Sequence, residues 1–207
     1  TLITGRTQVG GFGTQNAAVA AGGIASPFSC LLCTEEYDGS SWTAGGALID
    51  GHNKAGTAGT INAGLIFGGE PHPSYSSCTE EYNGTLWSTG GALIQARYGI
   101  GGEGTQNAAL AHGGRNYFGG GPSVTIYSCT EEYNGTSWGT GGGLIAARES
   151  SMGAGTQNAA IAAGGADEYT GCQNTELYDG TSWSAGGTMI TARACSGGGG
   201  TQNDAVL

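Results

Sequence analysis

Three features of this 207-residue sequence predict an all-β fold and, within that class, a β-propeller of four-stranded antiparallel blades. A motif of about 45–51 residues returns along the whole chain. Hairpin signals fall at fixed places inside it. Side-chain size rises across each copy, from glycine and alanine to tyrosine and tryptophan. No segment holds a 3.6-residue apolar period over helical length, so no helix is expected.

The repeat is defined by its fixed points. Gly-Thr-Gln-Asn begins at Gly13, Gly104, Gly155 and Gly200, with Gly59-Thr60-Ile61-Asn62 as a variant. Gly-Gly pairs begin at Gly22, Gly68, Gly113 and Gly164. Thr-Glu-Glu-Tyr follows from Thr34, Thr79 and Thr130, and Thr-Glu-Leu-Tyr from Thr175. Trp42, Trp87, Trp138 and Trp183 come next. An apolar pair then ends each copy (Leu48-Ile49, Leu93-Ile94, Leu144-Ile145, Met189-Ile190), and Arg97, Arg148 and Arg193 trail the last three.

Four strands are expected in each copy. The first runs to the Thr-Gln-Asn turn, and the second is the Ala-rich run ending at Gly-Gly. The third is Thr-Glu-Glu-Tyr, and the fourth runs from Trp through the Leu-Ile pair. Asp38-Gly39, Asn83-Gly84, Asn134-Gly135 and Asp179-Gly180 divide strands three and four, where both residue types tolerate the positive φ of a type I′ turn. Small residues in the first two strands and bulky ones in the last two suit a radial stack of twisted sheets, narrow at its axis and broad at its rim. The expected blades span about 7–49, 52–94, 98–145 and 149–190. A partial blade combines 194–207 with 1–6, giving a single propeller domain, or a fragment of one, with at least five positions. That blade lacks a third strand and the chain opens on Thr1, so it is expected to be part of a longer one.

Gly-Gly closing strand two, Glu-x-Tyr-Asp, and Trp opening strand four together resemble the kelch family over essentially the whole chain. Tyr and Trp lie closer together here than in most kelch repeats, which implies a shorter turn. The wording from Thr-Gln-Asn-Ala-Ala to Asp-Gly-Ser-Ser-Trp is similar to repeats of predicted structural and tail-fibre proteins of marine phages and of secreted bacterial proteins. The resemblance implies an extracellular or virion-surface setting and a partner-binding side. It also brings an enzyme alternative, a kelch-type copper oxidase. That chemistry needs two Tyr and two His converging at the axis, whereas His52, His72 and His112 do not repeat.

Composition narrows the partners. A formal net charge of -10 with only six basic residues argues against nucleic acid and anionic membranes. No apolar run is long enough to span a bilayer as a helix. In an up-and-down blade the Thr-Gln-Asn and Asn-Gly turns share one face and are nearly uniform. The loops between strands two and three share the other face and vary, and such loops on a rigid scaffold commonly carry recognition. They hold His72, Tyr75, Arg115, Tyr117, Phe118, Tyr127, Asp167, Glu168 and Tyr169, aromatics beside polar groups that suit sugar rings.

The reading is therefore a non-catalytic binding or structural module for a glycan or protein, with no cofactor and no metal. Other virion proteins or a second copy are further partner candidates, and a ligand-free spacer or decoration domain is the structural alternative. Cys30-x-x-Cys33 lacks the second pair that a zinc site needs. Cys33, Cys78 and Cys129 recur at one repeat position and read as small buried thiols. Cys172 and Cys195 are the candidate disulfide. Glu35, Glu80, Glu131 and Glu176 read as structural partners of the arginines.

Overall fold

The computed structural model describes residues 1–25, 29–71, 75–117, 124–168, 170–194 and 197–206. These residues form an all-β structure without helices. Four sheets follow one another, each four-stranded and antiparallel with its strands in sequence order. The first holds Gly10–Thr14, Ala17–Ala21, Thr34–Tyr37 and Trp42–Ala44. The second holds Gly56–Thr60, Ala63–Phe67, Thr79–Tyr82 and Trp87–Thr89. The third holds Gly101–Thr105, Ala108–His112, Thr130–Tyr133 and Trp138–Gly141. The fourth holds Met152–Thr156, Ala159–Ala163, Asn174–Tyr178 and Trp183–Thr188. A further hairpin pairs Gly199–Thr201 with Asp204–Val206.

The first strand of each sheet packs on the first strand of the next, through to the terminal hairpin. Glycine permits this approach. A Cβ on Gly102 would come within 2.8 Å of the Thr57 backbone nitrogen, and one on Gly198 within 2.7 Å of the Gly153 carbonyl oxygen. The small residues thus lie where sheets crowd, and the Tyr and Trp strands lie at the opposite edge.

The repeated side chains fasten one sheet to the sheet before it. The Trp87, Trp138 and Trp183 indoles donate to the hydroxyls of Thr34, Thr79 and Thr130 at 2.9, 3.0 and 2.9 Å. The hydroxyls of Tyr82, Tyr133 and Tyr178 donate backwards to Glu36, Glu81 and Glu132. Gln106, Gln157 and Gln202 each donate to two carbonyls of the preceding sheet. The fourth sheet carries Leu177 where the others place this second glutamate. Trp42, expected in the core with the others, has no preceding sheet over it and is half-buried.

A buried clamp holds the segment that enters each of the four sheets. Arg6, Arg97 and Arg148 pair with Glu35, Glu131 and Glu176, and these glutamates also accept amides of the same connection, as Glu131 does from Ile94 at 2.7 Å. In the second sheet His52 takes the arginine's place. Its Nδ1 lies 2.6 Å from the Gly68 carbonyl oxygen and its Nε2 lies 3.1 Å from Glu80. Burial pushes the Glu80 carboxyl up, but hydrogen bonds from His52 and from the Ile49 and Asp50 amides outweigh it and hold the group below its usual value.

Two local expectations need correction. The turns between strands three and four are four-residue loops, and only the glycine takes positive φ, +89° at Gly84. Asn83 instead folds an Asx turn, accepting the Thr85 and Leu86 amides at 3.0 and 2.9 Å. The fourth strand stops before the Leu-Ile pair in the first three sheets. Leu93 is buried after it with its amide donated to Ser77, whereas Ile94 turns out 61% exposed. The equivalent Ile3, Ile49, Ile145 and Ile190 are exposed too.

Candidate functional site

Where the connections enter the first strands, one backbone position is left-handed in every sheet. Gln8, Lys54, Gly99 and Ser150 have φ of 56°, 49°, 65° and 53°. Three of the four are not glycine, and each such residue costs about 1–3 kcal/mol that its surroundings must offset. The offset is a collar of backbone hydrogen bonds. Lys54 donates to Gln8 at 3.2 Å, Gly99 to Lys54 at 2.8 Å and Ser150 to Gly99 at 2.7 Å. The collar rims a cavity of about 360 Å³, lined by Gln8, Lys54, Ile100 and Ser151 among others.

Beside Lys54 stands an aromatic cluster built by two loops and one connection. Tyr75 and Tyr98 stack with centroids 5.2 Å apart at 15°, and Tyr117 lies 6.2 Å from Tyr75 and 6.4 Å from Tyr98. Tyr117 is carried by a hairpin, Arg115–Tyr117 with Val124–Ile126, which the main-chain pairing of Tyr98 with Arg115 ties to the third sheet. The Arg115 guanidinium sits 4.9 Å from the Tyr98 ring centre and 5.4 Å from that of Tyr117. The Lys54 ammonium lies 4.9 Å from Tyr98.

Carboxylates complete the rim. Glu149 meets Arg115 at 2.8 Å and Glu70 meets Lys54 at 3.6 Å. Burial raises the Glu149 carboxyl, with Arg115 and Lys54 pulling the other way. Burial also lifts the Tyr75 hydroxyl above its usual range. Tyr98 is buried, while Tyr75 and Tyr117 are half-buried. The result is a stacked aromatic cluster edged with both charge signs, with Tyr75 and Tyr117 half-buried at its outside, an arrangement suited to a ring with an apolar face and polar edges.

Of the residues expected at a site, Tyr75, Arg115 and Tyr117 come together here. Tyr127 does not join them: its hydroxyl is buried without a hydrogen-bond partner, and burial raises its pKa. Asp167 and Glu168 are exposed on another loop, where Asp167 accepts the Thr170 amide at 2.7 Å. His72, Phe118, Tyr169 and Cys195 lie outside the described residues, and with Cys195 the Cys172–Cys195 pairing. Cys33, Cys78 and Cys129, expected buried, are half-buried free thiols. Cys30 faces Asn53 while Cys33 faces Arg6, so the Cys-x-x-Cys pair points two ways.

Sequence reasoning missed Gln8, Lys54, Tyr98 and Ser150. Their signal is present in the repeat: columns 7/53/98/149 and 8/54/99/150 change identity in every copy, while the turn glycine at 13/59/104/155 persists. Comparison with known proteins finds no matching family model and no matching curated relative.

Proposed function

We propose that this chain is a kelch-like β-propeller with five or more blade positions, and that it acts as a binding module for a glycan. Supporting the propeller reading are the four sequential sheets, the packing of each first strand on the next, and the outward rise in side-chain size. The single observation that carries the binding reading is the Tyr75–Tyr98–Tyr117 stack flanked by Arg115 and by Lys54, which also lines the 360 Å³ cavity. Aromatic faces meet the C–H faces of a sugar ring, and the flanking carboxylates and cations meet its hydroxyls. The resemblance of the repeats to those of phage structural and secreted proteins supports a setting at a virion surface or outside a cell, and the acid balance suits neutral or cationic ligands.

A glycan array on the intact chain and on a Tyr75→Ala, Tyr117→Ala double variant tests this. The native chain is expected to retain a defined set of glycans and the variant to lose it at an unchanged melting temperature. No retained glycan on the native chain overturns the reading. A second reading, contact with a protein, has its own observation: an exposed isoleucine returns at residues 3, 49, 94, 145 and 190.

A further inference from the structure

The internal repeats supply a comparison at every position, and at three otherwise apolar positions of the four complete copies one copy carries a polar residue. Glu103 stands where the other copies have Phe12, Ala58 and Ala154. His112 stands where they have Ala21, Phe67 and Ala163. Ser151 stands where the first three copies have Val9, Ala55 and Ile100, and the partial fifth copy repeats the serine as Ser196. Nine apolar residues occupy these columns elsewhere in the four complete copies, and the three polar exceptions meet in one place, between the third and fourth sheets. Ser151 Oγ lies 3.5 Å from His112 Nδ1, and His112 Nε2 lies 3.3 Å from Glu103 Oε2.

The surroundings hold this arrangement and leave its polar atoms for each other. Gly101, opposite His112 in the sheet register, leaves the space the imidazole fills, since a Cβ there would collide with the ring. The edge of Trp183, 5.2 Å away at 66°, closes the other side. His112 is fully buried and Glu103 is 6% exposed. Both Glu103 oxygens and His112 Nε2 lack any other hydrogen-bond partner. Such atoms, buried and unpartnered, call for an explanation. Ser151, itself buried at 7% exposure, is the one of the three among the residues lining the neighbouring cavity. It lines both the 360 Å³ cavity and a glycine-walled continuation of about 180 Å³.

We propose that Ser151, His112 and Glu103 form a nucleophile, general base and positioning acid that hydrolyse a short-chain ester in this cavity. A nucleophile at a cavity wall, a base within reach and a buried acid orienting that base are the geometric signs of such a unit, and apo distances run long. Ser151 Oγ bonds to the ester carbonyl carbon as its proton passes to His112 Nδ1. Glu103, facing Nε2, orients the ring and stabilises the imidazolium. The bond to the alcohol oxygen breaks, and that oxygen takes the proton from His112. Water then attacks the acyl-serine while His112 receives a proton from it, the acid departs, and Ser151 regains its proton. The sum is ester plus water giving alcohol plus acid. The narrow, uncharged glycine wall favours a short acyl group. This activity stands independently of glycan binding.

The test is covalent labelling with a fluorophosphonate, in which the serine oxygen displaces fluoride from phosphorus, read by intact mass and peptide mapping. Hydrolysis of p-nitrophenyl acetate is followed in parallel. The native chain is expected to gain one adduct, at Ser151. Ser151→Ala abolishes it, and His112→Phe and Glu103→Gln slow it at least tenfold at unchanged melting temperature. Ser151→Ala and His112→Phe install residues that the second sheet already carries as Ala55 and Phe67. A low-field imidazole proton resonance lost in Glu103→Gln separates positioning from packing. No adduct at Ser151 in the native chain overturns the proposal, and so does an adduct rate that neither Glu103→Gln nor a folded His112→Phe alters.

Discussion

Where Arg97 meets Glu131 ahead of the third sheet, His52 meets Glu80 ahead of the second. Arg97 and His52 are both fully buried, and both glutamates accept two backbone amides as well. The guanidinium keeps its charge throughout the accessible pH range. The His52 ring instead sets one nitrogen against the Gly68 carbonyl oxygen and the other against Glu80. One clamp is a forked guanidinium and its neighbour a compact imidazole, within a scaffold that otherwise repeats.

The widest gap between the two should appear when the carboxylate is removed. Glu131→Ala leaves Arg97 charged, buried and unpaired, and is expected to cost about 3–5 kcal/mol. Glu80→Ala leaves His52 Nε2 and the Ile49 and Asp50 amides without their acceptor and is expected to cost about 1–3 kcal/mol. Denaturant melts of both variants check this, and equal losses would erase the distinction.

Alkali acts on both regions alike. Burial first, then hydrogen bonding to a carboxylate, pushes the hydroxyls of Tyr82, Tyr133 and Tyr178 up to about 12. A raised folded value means that their stabilisation is complete below the unfolded value of about 10 and is lost as pH climbs towards 12. Tyrosinate absorbance near 295 nm (roughly where phenolate absorbs) should rise together with unfolding in that window, and not before it.

Acid discriminates again. The lowered Glu80 value means its contribution is present above the ordinary carboxylate value of about 4.3 and disappears as pH falls through the depressed one. Denaturant midpoints measured below pH 5 (roughly the upper edge of that window) should fall less steeply in Glu80→Gln than in the native chain. The smallest expected effect is that of His52→Arg, which copies the neighbouring clamp. A gain of about 1 kcal/mol in a thermal melt would show that the two seats are interchangeable, and a loss would show that the second seat is shaped to imidazole.

Much of the scaffold was legible because its joinery is written in fixed columns. Thr34, Glu35, Glu36 and Tyr37 recur together because each type serves its own hydrogen bond or packing contact, so recurrence alone located the strands and the core. Tyr75, Arg115 and Tyr117 were legible as loop aromatics and a cation on an otherwise small-residue surface. Tyr98 and Lys54 were not, because they lie one and two residues beyond a clamp and only folding brings them under a loop about 20 residues further on. The His52 seat escaped notice for a similar reason. A column read as arginine concealed a different side chain playing the same part. The four-residue turns were missed because the Asn-Gly pair fits two loop lengths, and the choice was made by the Asn83 side chain accepting two amides.

Each repeat carries, at its own residues, both the groups that reach back and the groups that receive. Trp138, Tyr133 and Gln106 are the reaching set of the third sheet, and Thr130, Glu132 and the carbonyls of Ala109 and Tyr133 are its receiving set. A segment duplicated whole would therefore fit behind its own template without any new substitution, so lengthening by copying requires no invention. Leu177 interrupts that rule, because a leucine cannot receive a tyrosine hydroxyl. Gln202 of the terminal hairpin still donates to the Ala160 and Tyr178 carbonyls, so the seam on that side keeps the glutamine bonds of the three before it without the tyrosine–glutamate bond.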